Sequence, residues 1–286
     1  MSNIEKTLLQ WSLVLCLSIF LVSGTKAQTS SSFTSENYKF KAVAEIGFLG
    51  VLDHKVQFGQ NGTYFDYKND GGQDVLFPIS RLSLELEWKK RNTFVLLYQP
   101  LKIESQVYLN DDLIVDNQVF PAASNVKLLY NFPFYRFSYL REVLPNSKNL
   151  NLAIGGTVQI RNATISFTSG DGSLFRTNRD VGIVPALKLR SKYKINERAF
   201  AEIEADGIYA PVSYLNGSDT EIVGAILDAS LRGGLKLTKE VSSFVNLRYL
   251  GGGAIGTSND SRPPSDGYVK NWLHFGIVTA GFSYDF

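Results

Sequence analysis

The segment Arg81-Leu-Ser-Leu-Glu-Leu-Glu-Trp-Lys89 alternates apolar and polar side chains without interruption. Successive side chains of a β-strand point to opposite sides of the sheet, so this segment has one face of Leu and Trp and one of mostly charged residues. Similar alternation occurs in Leu150–Arg161, Ala199–Tyr209 and Ile222–Leu237. The pattern predicts an all-β chain whose strands have one apolar and one highly polar face.

Two kinds of fold present such strands. A soluble sandwich or lipocalin-type barrel packs the apolar faces inward, whereas a transmembrane barrel turns them to lipid and keeps a polar lumen. The alternating segments run to about 12–18 residues, against about 5–6 in soluble domains. Aromatic residues also lie near segment ends, where a membrane barrel has its girdles. They are Tyr38, Phe40, Trp88, Tyr139, Tyr193, Tyr284 and Phe286. The sequence favours a transmembrane antiparallel up-and-down β-barrel over the soluble fold.

The C-terminal segment His274–Phe286 alternates to its last residue, with Phe282, Tyr284 and Phe286 on one face. This ending resembles the assembly signal of Gram-negative outer-membrane β-barrel proteins. The resemblance implies a location in the bacterial outer membrane, contact with its lipid and lipopolysaccharide, and insertion by the barrel-assembly machinery. It implies no activity and no narrower family.

The N-terminal region has the layout of a secretory signal peptide. A Lys-containing start is followed by an apolar run and by Thr25-Lys26-Ala27, an A-x-A-like cleavage site, so residues 1–27 are predicted to be removed. Cys16 lies inside the apolar run rather than at its end, which argues against a lipoprotein. We expect residues 28–37 to be a polar periplasmic leader and residues 38–286 to form the barrel.

Connection lengths predict the number of strands, because outer-membrane barrels have short periplasmic turns and longer outer loops. The short connections are Lys89–Thr93, Glu142–Asn149, Tyr193–Arg198 and Leu237–Val241. The long ones are Gly59–Asp74, Leu109–Asn125, Thr168–Asp180, Pro211–Thr220 and Thr257–Lys270. Together they give ten strands. Twelve would need breaks at both Asp53-His54 and Asn131-Phe-Pro133, and we interpret Pro133 as a bulge or register change within one strand.

The lumen of so small a barrel is predicted to be narrow and charged. Charges removed from bulk water need partners, so opposite signs should meet on neighbouring strands. The candidate ion pairs involve Glu85, Glu87, Lys188, Arg190, Glu202, Glu204, Arg232 and Arg248. Further inward charges are Lys39, Lys41, Glu45, Arg161 and Lys236. A turn centred on Asn196 would place Arg190 opposite Glu202 and Lys188 opposite Glu204. The network either fills the lumen or lines a selective pore.

Composition limits the remaining functions. A net charge of +2 leaves no basic field for nucleic acid, and a single Cys excludes a disulfide scaffold or a Cys-based zinc site. The two imidazoles, His54 and His274, are both expected near the outer end of the barrel, with His274 turned toward lipid. No Asp-x-His pair and no Gly-x-Ser-x-Gly motif occurs. Acidic loop segments such as Asn69–Asp74 and Ser169–Gly172 are interpreted as turn chemistry rather than as Ca²⁺ sites.

We therefore expect a non-enzymatic outer-membrane barrel without cofactor or metal, with a side-chain-filled lumen and a structural or surface-interaction role through its outer loops. A narrow pore for small solutes is the alternative interpretation. A hydrolase or acyltransferase at the outer rim is the third.

Overall fold

The computed structural model describes residues 37–211, 222–257 and 265–286. The predicted signal peptide and nearly all of the predicted leader lie outside these residues. The described strands are β1 (Tyr38–Phe58), β2 (Phe65–Asp66), β3 (Leu76–Trp88), β4 (Asn92–Gln99), β5 (Lys102–Tyr108), β6 (Leu113–Val115), β7 (Gln118–Phe120), β8 (Asn125–Asn131), β9 (Phe134–Glu142), β10 (Leu150–Ser169), β11 (Phe175–Lys194), β12 (Ala199–Pro211), β13 (Val223–Lys236), β14 (Val241–Thr257) and β15 (Tyr268–Asp285). Among the described residues, no helix is long and apolar enough to cross a membrane.

The strands form one closed antiparallel barrel with ten positions around its wall, as predicted. Each position, here called a stave, is one long strand or two shorter strands placed end to end. Each stave pairs with its neighbour along the chain, and the last, β15, closes the ring against β1 from Lys41 opposite Asp285 to Phe58 opposite Val269. Two staves are made of two strands each, β4 with β5 and β8 with β9. The short β2 adds to the outer part of β1, and β6 with β7 forms a separate hairpin in the long loop after β5.

The two divided staves are interrupted at the same height by a pair of prolines. The register of β4 with β9 continues unchanged into that of β5 with β8, which places Pro100 opposite Pro133. Proline has no N–H to donate to the ladder, so the hydrogen bonding stops there and resumes beyond. Pro133 therefore interrupts one long stave without a register change. The twelve-strand alternative is wrong, and between Val51 and Asp53 the structure has a bulge in β1 instead of a break.

The outward face of the staves forms an apolar band, which explains the long alternating segments. Leu84 is 59% exposed and Leu187 is 77% exposed, and both point away from the lumen. Burying such side chains in the interior is not possible for this closed sheet, so they are solvated by lipid. The stacked rings of Tyr98 and Tyr135 stand at the upper border of the band, with centroids 4.9 Å apart. The soluble-barrel alternative is thereby excluded.

Above that border the outward face becomes polar. After the bulge in β1, the outward residues are Asp53, Lys55 and Gln57, and on β5 they include Glu104 and Gln106. The staves therefore extend past the apolar band on the side of the long loops. The short turns and the C-terminus lie at the opposite, periplasmic end.

Candidate functional site: a lumen filled in two layers

The lumen contains two chemically different layers. The periplasmic half is filled by charged and amide side chains. The outer half is filled by a hydrophobic cluster that includes Phe58, Tyr67, Phe120, Phe167 and Phe275. The sequence predicted a narrow lumen with charged inward residues and did not indicate this apolar outer layer.

The charged layer is held by bonds that cross the barrel instead of only joining neighbours. Arg81 of β3 donates to Glu204 of β12 at 3.2 Å, and these staves lie on opposite sides of the ring. Arg190 of β11 donates to Glu85 of β3 at 2.9 Å, also across the lumen. Two further crossing bonds run from Arg136 to Asp228 and from Arg248 to Gln99. Such bonds occupy the cross-section through which a solute would pass.

Glu45 is the best-connected acid of the layer. Its carboxylate accepts from Arg81 at 3.2 Å, from Arg232 at 2.9 Å, and from Asn246 and Thr279 at 2.8 Å each. These partners come from four different staves. A carboxylate with this many donors is fully solvated by protein, which is the condition for keeping a charge buried.

The charges of the layer balance. The buried acids are Glu45, Glu85, Glu202, Glu204, Asp206 and Asp228. The bases are Arg81, Arg136, Lys188, Arg190, Arg232 and Arg248, of which Arg190 keeps 12% of its side chain exposed. An uncompensated charge here would cost several kcal/mol, about 3–5 when one partner of a buried pair is removed. The six acids are therefore matched by six bases, and the partly exposed Lys41 adds a contact to Glu85 at 3.5 Å.

The predicted register of β11 with β12 is wrong by two residues. Arg190 lies opposite Glu204 instead of Glu202, and Lys188 lies opposite Asp206. The reason is the turn: the side-chain oxygen of Asn196 accepts from the backbone N–H groups of residues 198 and 199, and the N–H of residue 195 donates to the carbonyl of residue 199. The hairpin is therefore centred one residue later than predicted.

Most predicted ion-pair residues do meet a partner. Lys188 contacts both Glu204 at 3.0 Å and Asp206 at 2.7 Å, and Glu202 pairs with Arg232 at 2.8 Å. Glu87 does not belong to the layer, since it lies 39% exposed at the periplasmic rim. Its partner there is Lys39 at 3.8 Å.

Sequence reasoning missed Arg81, Arg136, Asp206 and Asp228 as ion-pair residues. Arg81 and Asp228 stand on the polar faces of the alternating segments already identified, so the signal for them was present. Arg136 lies in an aromatic run after Pro133, where the alternation is harder to read. The partners across the lumen carried no signal, because local pairing rules describe only adjacent strands.

The apolar layer is built largely by the outer loops folding inward. The hairpin of β6 and β7 lies across the mouth, where its tip residue Asp116 donates its N–H to the carbonyl of Phe58 at 2.9 Å. The Asp116 carboxylate is buried and accepts from Arg176 of β11 at 2.6 Å. This ion pair fixes the hairpin to the far wall. The loop between β1 and β3 fills the remaining side with Phe65 and Tyr67.

The two histidines occupy different surroundings. His54 is fully buried in the apolar layer, with its ring stacked on Tyr67 at 4.6 Å and Nδ1 at 2.8 Å from Gln73 Oε1. His274 is on the lipid side of β15, as predicted, and its Nδ1 bonds to the hydroxyl of Tyr249 on β14. The two rings point to opposite faces of the wall, so they do not form one site.

The described acidic loops show turn chemistry. Asp171 accepts from the hydroxyls of Ser169 and Ser173 at 2.6 and 2.8 Å, and these bonds lower the pKa of its carboxyl to about 2. Asp112 caps the N–H of residue 122 at 2.7 Å. Within the described part of the chain, no group of three or more His, Cys, Asp or Glu side chains is arranged to hold a metal ion.

Comparison with known proteins gives similarity to solved structures only. No protein-family profile and no curated protein sequence matches the chain. Its fold is similar to that of the outer membrane protease OmpT of Escherichia coli, with 12% identity, coverage of 87% of this chain and 97% of that one, and a TM-score of 0.48. A Pseudomonas aeruginosa FadL homologue gives 10% identity, 87% and 90% coverage and a TM-score of 0.39. Ail of Yersinia pestis gives 8% identity, coverage of 87% of this chain and 99% of that one, and a TM-score of 0.33.

At such low identities and TM-scores, the similarity gives no information about activity. What the protein's own geometry shows is a closed ten-stranded barrel with an apolar outward band, aromatic residues at the border of that band, short turns at one end and long loops at the other. This is the architecture of a transmembrane β-barrel of the bacterial outer membrane.

Proposed function

We propose that this protein is a closed, non-enzymatic outer-membrane barrel that acts at the cell surface through its outer loops and the extended outer part of its wall. The observation that carries the proposal is the bond between Arg81 and Glu204, which joins opposite sides of the lumen within a layer of balanced charges. A path for solutes would break such crossing bonds and leave buried charges without partners, which costs several kcal/mol of free energy.

The apolar layer supports the same proposal independently. Phe58, Phe120 and Phe167 are at most 3% exposed in the outer half, so the lumen is obstructed both by charged and by apolar side chains. An ion meets an apolar obstruction and an apolar solute meets a charged one. The alternative of a narrow pore is therefore disfavoured for both classes of solute.

The outer surface offers features suited to contacts. A shallow groove of about 540 Å³ runs over the outward side of β5, β8 and β10, above the apolar band. Its lining residues are Glu104, Ser105, Gln106, Lys127, Leu128, Leu129, Ser166 and Thr168. Mixed polar groups at this height face the headgroups and sugars of lipopolysaccharide, which supports a surface-interaction role.

A hydrolase at the outer rim receives no support from the two imidazoles. His54 is sealed behind Tyr67 and Tyr130, and His274 faces lipid, so neither reaches water at an open cleft. General acid–base catalysis needs such a group within hydrogen-bond reach of a substrate.

Insertion by the barrel-assembly machinery is proposed to use the C-terminal aromatic residues. Phe282, Tyr284 and Phe286 are 56%, 46% and 66% exposed, and the first two lie on the outward face of β15. Truncation of Phe286 is expected to slow assembly into outer-membrane vesicles by this route.

A swelling assay tests the closed lumen. Liposomes containing the purified protein are diluted into an isosmotic solution of arabinose, with a large porin as the positive control. We expect swelling no faster than in protein-free liposomes. The variant Arg81→Ala/Arg190→Ala removes crossing bonds of the charged layer but leaves the apolar layer in place, so its liposomes should also swell no faster. Rapid swelling with the unaltered protein would contradict the proposal.

A further inference from the structure

The outward side of the wall between β5 and β11 carries polar residues in horizontal rows above the apolar band. The strand registers place one residue each of β5, β8, β10 and β11 in every row. The lower row consists of Lys102, Asn131, Thr164 and Arg179, the middle row of Glu104, Leu129, Ser166 and Thr177, and the upper row of Gln106, Lys127, Thr168 and Phe175. These three rows are here called the polar face. Their side chains point outward, because the residues next to them along the strands, such as Ile103, Tyr130 and Ile165, are buried inside.

The lower row presents two positive charges at the height of the lipid headgroups. Lys102 and Arg179 stand three strand spacings apart, which is about 14 Å, with the Asn131 amide and the Thr164 hydroxyl between them. Lys102 contacts Glu104 at 3.0 Å, but both side chains are more than half exposed. Exposed cations with hydrogen-bond donors between them are suited to binding phosphate groups.

The cations on the β1 side of the outer wall already have contacts within the protein. Lys55 contacts Asp53 at 3.5 Å and Asp66 at 3.8 Å. The Lys270 ammonium lies 4.0 Å from the centroid of the Tyr64 ring. By contrast, two exposed cations of the polar face have no acidic partner among the described residues, namely Lys127 and Arg179. The polar face is therefore the side of the wall on which cations are available to a ligand.

The outward groove lies over the middle and upper rows of the polar face. Its lining includes Ser166, which is 8% exposed, and the charged residues Glu104 and Lys127. Two aromatic side chains on the same side of the wall, Tyr108 and Phe175, are 59% and 57% exposed although they stand above the apolar band. Exposed apolar groups away from lipid indicate a contact surface. Aromatic rings beside hydroxyl, amide and carboxylate groups are suited to sugars, which have apolar C–H faces and hydroxyl edges.

We infer that the polar face binds one molecule of lipopolysaccharide, whose phosphates contact Lys102 and Arg179 and whose first core sugars lie in the groove. The acyl chains, the phosphorylated disaccharide and the core sugars of this lipid follow one another in the same order as the apolar band, the lower row and the groove. A phospholipid has a single phosphate and no sugar chain, so it would leave the groove empty. The inference rests on the proposed role of the outer wall in surface contacts and names the partner for that role.

The experiment measures lipid binding to the full barrel in detergent micelles by native mass spectrometry. The probe is a diphosphorylated lipid A that carries two acidic core sugars. The comparison lipids are the same molecule without its phosphates and phosphatidylglycerol. We expect saturable binding of one probe molecule, about tenfold or more tighter than of either comparison lipid, because only the probe supplies both phosphates and sugars to the polar face.

Two double variants that remove equal charge provide the matched control. Lys127→Ala/Arg179→Ala removes the available cations of the polar face and should weaken probe binding by about tenfold or more. Lys55→Ala/Lys270→Ala removes two cations from the β1 side and should weaken binding by less than about threefold. Heat-modifiable gel mobility shows that each variant is folded.

Three results would overturn the inference. They are equal weakening by the two double variants, equally tight binding of phosphatidylglycerol or of the dephosphorylated probe, and no saturable binding of the probe to the unaltered protein. Conductance through the barrel would contradict the closed lumen without altering these binding results, so the failure of the proposed function and the failure of this inference can be told apart.

Discussion

Arg81 Nη2 lies 3.2 Å from Glu204 Oε1, although the two residues belong to staves on opposite sides of the ring. Both side chains are about 95% buried, and Arg81 also holds Glu45. Arg81→Ala should lower the free energy of unfolding by about 3–5 kcal/mol, because it leaves buried carboxylates short of a partner. Urea unfolding in micelles, followed by heat-modifiable gel mobility, measures the loss.

The exposed pair of Lys194 and Glu197 is the control for that experiment. Its atoms are 2.7 Å apart, but the glutamate side chain is 91% exposed. Lys194→Ala should therefore change the unfolding free energy by less than about 1 kcal/mol. If both variants lose the same small amount, the crossing bond is not a structural element of the lumen.

Arg placed on the lipid face should be penalised only within the apolar band. Leu84 is 59% exposed on that face, and Leu84→Arg should cost about 2–4 kcal/mol if the position lies near the bilayer midplane. Gln106 also points outward, but it stands above the interruption at Pro100, where the surface is polar. Gln106→Arg should be nearly neutral in the same unfolding assay. Equal costs at both positions would place the border of the membrane elsewhere.

A glycine pair tests the packing inside the barrel. A Cβ at Gly281 would lie 2.4 Å from Cζ of the inward ring of Phe244 and 2.9 Å from the carbonyl oxygen of Ala44, whereas a Cβ at Gly233 would meet nothing within 4 Å. Gly281→Ala should destabilise the barrel by about 1–3 kcal/mol through overpacking. Gly233→Ala should be neutral or slightly stabilising, since alanine restricts the unfolded chain. The reverse order of effects would refute the described packing of Phe244.

The loop after β10 should keep its conformation in acid. Hydrogen bonds from Ser169 and Ser173 lower the pKa of Asp171 to about 2, below the ordinary value of 3.8. A carboxyl whose pKa is lowered by folding contributes its stabilisation above the ordinary value and loses it as the pH falls through the lowered one. The Ser173 amide resonance should therefore titrate near pH 2, and Asp171→Asn should abolish that step. A midpoint near 4 would show that the carboxylate does not hold these bonds.

Much of the fold could be predicted because the alternation of apolar and polar residues is a local property of each segment. Alternation in segments such as Arg81–Lys89 indicates both the strand and its lipid face, and the lengths of the connections give ten staves. The register was predicted less well, because the Asn196 side chain rather than the residue count sets the centre of the turn. A shift of two residues keeps every side chain on the same face of the sheet, so the hydrophobic pattern does not distinguish the two registers.

The filling of the lumen was predictable only in part. The charged faces of the strands indicated an ion-pair layer. The contact between Arg81 and Glu204 could not be predicted in this way, because it depends on the closure of the ring and not on the pairing of neighbouring strands. The apolar layer was missed because its residues, such as Val56 and Phe58, follow a bulge that exchanges the inward and outward positions of β1. Asp53 and Lys55 beside them are polar although they point outward, because this part of β1 stands above the apolar band.

Single-channel recording in a planar lipid bilayer tests the closed lumen most directly. We expect the purified, heat-modifiable barrel to insert into the bilayer and to give no steady conductance steps above the baseline in 1 M salt, a concentration at which the Debye length is about 3 Å and exposed charges are screened. Regular steps of constant size from the unaltered protein would show a continuous aqueous path and contradict the two-layer filling of the lumen.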